Sequence, residues 1–386
     1  MIRYVTAGES HGKQLTVIIE GIPAGLKLSE EEINFELARR QKGFGRGERM
    51  KLETDKAEFV SGVRWGKAIG SPITLVIKNA DWDNNKELMS EYEQFCDDRK
   101  YLVKPRPGHA DLAGALKFGM KDIRNILERS SARETAARVA AGAVFRKLAA
   151  EFGVVTYSFV TKIGSTTAPS AKAFLDNAPI LIEKSELRVL DASAEGKMKR
   201  EILKAKMRGD TVGGVFTVIA KGLPVGLGSH TQWDMKLDAK LAQSLMSIQA
   251  VKGVEFGIGF GFCGKPGSEA HDEIFFTPKK GFFRKTNNAG GFEGGMTNGE
   301  PVVVSCIMKP IPSLVKPLAS VNIKSKKTEK AEAVRSDVCA VPAAGVVGEA
   351  AVSFELARAL KEKFGGDSIE EMKRNFKGYI EQVKKF

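Results

Sequence analysis

Apolar, largely β-branched runs punctuate the chain at intervals and predict strands over 72–78, 154–162, 213–220, 254–262 and 301–308, several of them continuous or interrupted by glycine. Elsewhere the apolar period lengthens to that of a helix. Ser29 followed by Glu32 has the form of a capping box, and Ile33 and Leu37 continue an amphipathic pattern that ends at Arg39-Arg40. Residues 111–127 and 133–151 predict two further helices, the second rich in Ala and Gly, a composition that lets helices approach closely in an interior. The segment 368–386 reads as a charged amphipathic helix with a solvated face.

One pattern occurs twice. TVIIEGIPAGL at 16–26 returns as TVIAKGLPVGL at 217–227, with seven of eleven positions identical. Each copy is an apolar run closed by Gly-x-Pro-x-Gly, in which Pro fixes φ and Gly supplies tight or left-handed geometry. This predicts a duplicated strand–turn–helix unit whose halves pack as one pseudo-symmetric body over 1–386. Chance likeness between two such generic segments is the alternative.

With 386 residues the chain has room for two ordinary domains or one large one. The first residues, MIRYVTAGES, lack the apolar core of a signal peptide, and no run of about eighteen apolar residues is present, so a soluble, cytoplasmic protein is expected. Cys96, Cys263, Cys306 and Cys339 lie far apart and fit neither a disulfide framework nor a zinc site. A formal charge of +13 suits nucleic acid, acidic lipid or a polyanionic small molecule, and does not choose among them.

Four clusters carry candidate chemistry. In RRQKGFGRGERMK, residues 39–51, six of thirteen side chains are basic and three glycines separate them. Arg40, Arg46 and Arg49 are the candidates here for gripping an anion, because a guanidinium matches carboxylate or phosphate with two parallel N–H bonds. A solvated basic loop, or one lying on a nucleic-acid backbone, is equally compatible with this segment alone, although only Phe44 interleaves its charges. His11 in GESHG and His109 in RPGHAD sit in tight polar turns, where an imidazole can give or take a proton near neutrality or simply serve the turn. His230 and His271 carry no assigned role. Glu128 to Thr135, ERSSARET, stands between the two predicted helices, and its hydroxyls and arginines suit either an N-cap or an anion. Lastly, Arg335-Ser336-Asp337 places a carboxylate beside an arginine, as a surface ion pair or as a proton acceptor kept ionised among cations.

In this order and spacing the four clusters resemble the chorismate synthase family along the whole chain. GESHG at 8–12, RSSARETAARVAAG at 129–142 and RSD with the downstream Gly348-Glu349 are similar to the family's three signatures, and the 39–51, RPGHAD and SIQAVKGVEFG (247–257) segments are also similar to family stretches. The resemblance implies an α+β fold, a β-α-β sandwich with central helices between two antiparallel sheets, internally duplicated and assembled as a homotetramer. It implies anti 1,4-elimination of phosphate from 5-enolpyruvylshikimate 3-phosphate, requiring reduced FMN without net redox change, with NADPH as its direct or indirect reductant. It assigns His109 to protonate the departing phosphate, His11 to face the flavin, and Asp337 to assist deprotonation at flavin N5. Arg40, Arg46, Arg49, Arg106, Arg133 and Arg335 then hold the polyanionic substrate. Arg129, Ser130, Ser131, Gln249, Ala250, Gly294, Lys309, Pro310, Ile311, Pro312, Ser313 and Arg335 then hold the cofactor. Gln249 and Ile311 depart from the Asn and Thr common at those family positions, and the second loses a hydroxyl. Two rival readings are a nucleic-acid-binding protein using the basic loop and a flavin reductase, although no clear GxGxxG strand-to-helix fingerprint for a dinucleotide is present.

Overall fold

Alternation decides the first sheet. In β2 (Gln14–Glu20), Leu15, Val17 and Ile19 are buried while Ile18 is exposed, so one face meets the core. Together β1 (Arg3–Ala7), β2, β3 (Ala57–Ser61) and β4 (Ile73–Lys78) form an antiparallel sheet in the order β1-β2-β4-β3. The computed structural model describes residues 1–47, 54–334 and 336–386. A second antiparallel sheet contains β5 (Val155–Ile163), β6 (Thr166–Thr167), β7 (Gly214–Lys221), β8 (Val251–Phe256) and β9 (Val302–Met308), in the order β8-β9-β7-β5-β6. Its β7 is buried on both faces, because Tyr157, Phe159 and Ile219 meet Ala173, Ala178 and Ile182 on the side away from the main core.

The two copies of the repeated motif fall one in each sheet, on β2 and β7. Gly21 and Gly25 have φ of +83° and +89°, and Gly222 and Gly226 have +80° and +82°. The same turn therefore leaves both strands.

The helix α1 (Glu30–Gln41) begins where the capping box predicts, with Ser29 Oγ accepting from the Glu32 N–H. The predicted helix 111–127 is instead two, α2 (Asp111–Phe118) and α3 (Arg124–Ser130), because Gly119 takes a left-handed φ of +65° and ends the first. The helix α4 (Thr135–Ala150) packs on β2 and β4, and after α5 (Ala192–Met207) and α6 (Leu237–Met246) the long α7 (Val341–Phe364) packs on β5 and β7. These two helices meet each other through Gly142, where a Cβ would stand 2.2 Å from that of Ala350. The predicted strand 254–262 is shifted to Val251–Phe256, since Gly257 and Gly259 turn the chain into a 3-10 segment. A charged surface helix, α8 (Ile369–Lys385), follows α7.

Two buried carboxylates on α7 behave oppositely. Glu349 accepts from Arg39, Arg146, Arg188 and the backbone N–H and hydroxyl of Ser158, which tie it to α1, α4 and β5. Burial alone would raise its pKa, but the Arg39, Arg188 and Arg146 charges outweigh this and hold it well below the usual carboxylate range. Glu355 lacks such a nest: burial pushes it up to about 7 against weaker opposition from Arg358 and Lys240. A folded-state pKa above the ordinary 4.5 means that this group's contribution is fully present below pH 4.5 and is lost as pH rises through 7. The Glu355→Gln variant should therefore lose less stability than the parent between pH 4.5 and 8, by up to about 3 kcal/mol, read by urea unfolding at both ends.

Cys306 and Cys339 are buried, and burial pushes their thiols up to about 12 and about 11, while Cys96 and Cys263 are exposed. Among the described residues no helix is long and apolar enough to cross a membrane.

Candidate active site

Helix α1 delivers its two terminal arginines to different tasks. Arg39 goes to Glu349, whereas Arg40 donates to Thr135 Oγ1 at 2.9 Å and to the Ala132 carbonyl at 3.0 Å, and lies 3.4 Å from Asp55. Arg133 shares that carboxylate, at 2.5 Å, and donates to Asn79 Oδ1 at 2.9 Å. Two guanidinium groups are thus buried side by side on one aspartate, each 7% exposed or less. Neither Asp55 nor Asn79 stands out in the sequence, because both lie outside the motifs and reach Arg133 across 78 and 54 positions.

Asn79 also fixes the first histidine turn, donating through Nδ2 to the carbonyls of Glu9 and Gly12. In that turn the His11 backbone N–H donates to Glu128 Oε2 at 2.8 Å, and His11 Nδ1 stands 2.9 Å from both carboxylate oxygens. Glu128 is buried, and Ser131 Oγ reaches Ser10 Oγ at 3.3 Å. His11, Ser131 and Arg133 therefore border one region.

The second histidine turn is built alike. His109 Nδ1 lies 2.5 Å from Asp111 Oδ1, and Asp111 also accepts from the backbone N–H and Nε of Arg106, at 3.1 and 3.0 Å. Burial would raise the Asp111 pKa, but its bonds from His109 and Arg106 bring it down to about 2. Arg106 Nη1 donates to Ser313 Oγ at 2.8 Å, and Lys309 Nζ donates to the Gly108 carbonyl at 2.5 Å, so this turn rests on the 309–313 segment.

Arg46 and Asp337 meet at 2.9 Å, and the Gly47 backbone N–H donates to the same carboxylate at 2.6 Å. Ser336 Oγ then donates to the Ser313 carbonyl, which joins this pair to the His109 turn. On the other side Lys309 N–H donates to the Ala250 carbonyl, and Gln249 Nε2 donates to Glu134, next to Arg133. A chain of contacts thus links Arg133, Gln249, Lys309, His109, Ser313, Asp337 and Arg46.

The remaining expected residues are unevenly engaged. Arg129 is exposed and donates to the carbonyls of Thr6 and Gly8, while Ser130 Oγ donates back to its own helix at the Ile126 carbonyl. The Pro310 backbone packs against Gly213, the Ile311 carbonyl accepts from Thr211, and Pro312 lies beside Gly108. Gly294 stands near His230, and the next residue, Gly295, accepts from the first N–H of α6. Gln249 follows the far end of that helix, about 15 Å away by helical rise. No described contact joins Gly294 to the other candidates. Arg49 and Arg335 lie outside the described residues.

A mixed helix-and-sheet protein that sets two histidine–carboxylate pairs among clustered arginines has the make-up of an enzyme acting on a small anionic molecule. The family model for chorismate synthase matches residues 2–360. Chorismate synthases of Geotalea daltonii and Geobacter sulfurreducens are 57% and 56% identical to the chain, each covered over 100% of both sequences. A crystal structure of a chorismate synthase superposes with a TM-score of 0.82 at 45% identity, covering 100% of this chain and 99% of that one. The chain belongs to the chorismate synthase family, and so is a lyase of the shikimate pathway. Family membership replaces the nucleic-acid and flavin-reductase readings.

Proposed function

We propose that this enzyme converts 5-enolpyruvylshikimate 3-phosphate to chorismate by anti 1,4-elimination, releasing phosphate and a C6 proton with no net redox change. The observation that carries this reading is that contacts run continuously from Arg46 and Asp337 through Arg106 and His109 to Arg133, by way of these residues and their immediate sequence neighbours. A ligand with one phosphate and two carboxylates suits such a concentration of fixed cations in a partly dry setting.

His109 protonates the departing phosphate from Nε2, its Nδ1 being committed to Asp111. The arginines orient the ester, with Arg106 itself held between Asp111 and Ser313. His11, fixed at Nδ1 by Glu128, exchanges a proton at its other ring nitrogen. Asp337, bonded to Arg46 and Gly47, keeps lone pairs with which to accept a proton. Arg49 and Arg335 add to the substrate's counter-charge.

The residues present fit a flavin. Gln249 Oε1 is buried and accepts no hydrogen bond among the described residues, and Ala250 holds a left-handed φ of +67°, which a non-glycine residue adopts at a cost that functional sites commonly bear. Gln249, Ala250, Arg129, Ser130, Ser131, Gly294, Lys309 to Ser313 and Arg335 would hold reduced FMN, with NADPH as its source of electrons. When bound, the reduced flavin supplies electron density to the breaking C–O bond and recovers it as the C6 hydrogen leaves. We further infer a cytoplasmic homotetramer whose single-domain protomers are duplicated β-α-β sandwiches. The matching turns after β2 and β7, and the packing of α4 and α7 on one sheet each and on each other, support that architecture.

Under anaerobic conditions, purified protein with dithionite-reduced FMN and the enolpyruvyl ester should release chorismate and phosphate in equal amounts. Oxidised FMN should give neither, and phosphate release without chorismate would overturn the assignment. Replacing dithionite with NADPH shows whether the enzyme reduces its own flavin.

A further inference from the structure

We propose that Asp111 is a positioning residue for the elimination, holding His109 with its proton on Nδ1 so that Nε2 alone serves the leaving group. The inference rests on the reading of His109 as the general acid. Asp111 is the first residue of α2 and is fully buried, and among the described residues the charged groups within hydrogen-bonding reach of its carboxylate are His109 and Arg106. Oδ1 takes the imidazole at 2.5 Å, and Oδ2 takes the Arg106 backbone N–H and Nε. Arg106 Nη2, a donor, also stands 3.1 Å from Nδ1, but the carboxylate oxygen is the nearer neighbour at 2.5 Å and can only accept, so Nδ1 carries the hydrogen.

An unrestrained neutral imidazole prefers its hydrogen on Nε2, and that form would present a bare Nδ1 to Asp111 and waste the bond. With Nδ1–H committed to Asp111, a second proton can enter or leave only at Nε2, the atom that must meet the phosphate. The segment also keeps the ring from turning. Gly108, one residue earlier, is pinned by Lys309 through its carbonyl, and Arg106, three residues earlier, is pinned by Ser313. His11 is held the same way, with Nδ1 on buried Glu128.

Side-chain nitrogen NMR of the wild-type protein, titrated until His109 is neutral and assigned with His109→Ala, reads the tautomer directly. The Nδ1–H form is expected, and a neutral His109 that carries its hydrogen on Nε2 would overturn the proposal. Kinetics give a second, independent readout. Asp111→Asn should lower kcat by about 10²-fold or more, and the kcat of the His109→Ala/Asp111→Asn double variant should be no lower than that of His109→Ala alone, while any rise in KM shared by both Asp111 variants reports the Arg106 that Asp111 also holds. Losses that multiply in the double variant would mark Asp111 as merely structural and overturn the proposal. The two readings separate cleanly: wild-type turnover in His109→Ala removes the general acid whatever the tautomer, whereas an Nε2–H ring in an enzyme that needs His109 removes only the role of Asp111.

Discussion

His109→Ala should lose about 10²- to 10⁴-fold in kcat, with KM within a few-fold of the parent. The asymmetry follows from what the residue does and does not touch. Substrate charge is met by Arg46, Arg106 and Arg133, which keep other partners: Asp337 for Arg46, Asp111 and Ser313 for Arg106, and Asp55 and Asn79 for Arg133. Truncating the imidazole therefore leaves ground-state binding nearly intact and removes a proton needed only as the C–O bond breaks. Steady-state kinetics with reduced flavin in excess measures both constants, and an unchanged kcat would remove His109 from the chemistry. His109→Gln should not rescue turnover, because an amide cannot give up a proton at neutral pH.

Glu349→Ala should destabilise the fold by about 3–5 kcal/mol, lowering Tm by about 4–6 °C. The carboxylate is 2% exposed and meets Arg39, Arg146 and Arg188; its loss leaves the buried Arg39 and Arg188 with Glu36 and Glu183, too few partners for two guanidinium groups packed away from water, while the half-buried Arg146 can turn outward. Because its folded pKa is depressed, its contribution is present above the ordinary value near 4.5 and is lost as pH falls through the folded value. The difference between parent and variant should accordingly shrink in strong acid. Lys78→Ala provides the contrast, since Lys78 and Glu58 form an exposed pair and its removal should shift stability by less than about 1 kcal/mol. Thermal unfolding of the two variants side by side decides the point; equal shifts would mean that burial of the Glu349 group is not what makes it matter.

Much of the fold is legible in the sequence where one local rule dominates. The Ser29 cap, the alternation in β4 and the Ala/Gly-rich α4 all follow from patterns a few residues long. The departures occur at glycines: Gly119 reads as a tolerable interruption of a helix, yet it adopts the left-handed geometry that ends one, and Gly257 with Gly259 ends β8 early. In the site, the histidines and most arginines are visible as motif members, while their carboxylate partners are not equally so. Asp111 and Glu128 sit inside quoted motifs, but only the folded contacts show that each grips an imidazole. Asp55, Asn79 and Arg188 give no local signal, because their contacts with Arg133 and Glu349 span 54 to 161 positions. Arg39 and Arg40 are adjacent in sequence and helical geometry turns them to different partners, which charge counting alone does not separate.

The division of the four cysteines gives the molecule a built-in gauge of its own opening. At neutral pH an alkylating reagent should modify Cys96 and Cys263 in the native protein, while the thiols on β9 and just before α7 stay protonated and shielded. Each further adduct counted by intact mass then records an excursion that parts the second sheet or the start of the long helix, and peptide mapping tells Cys306 from Cys339.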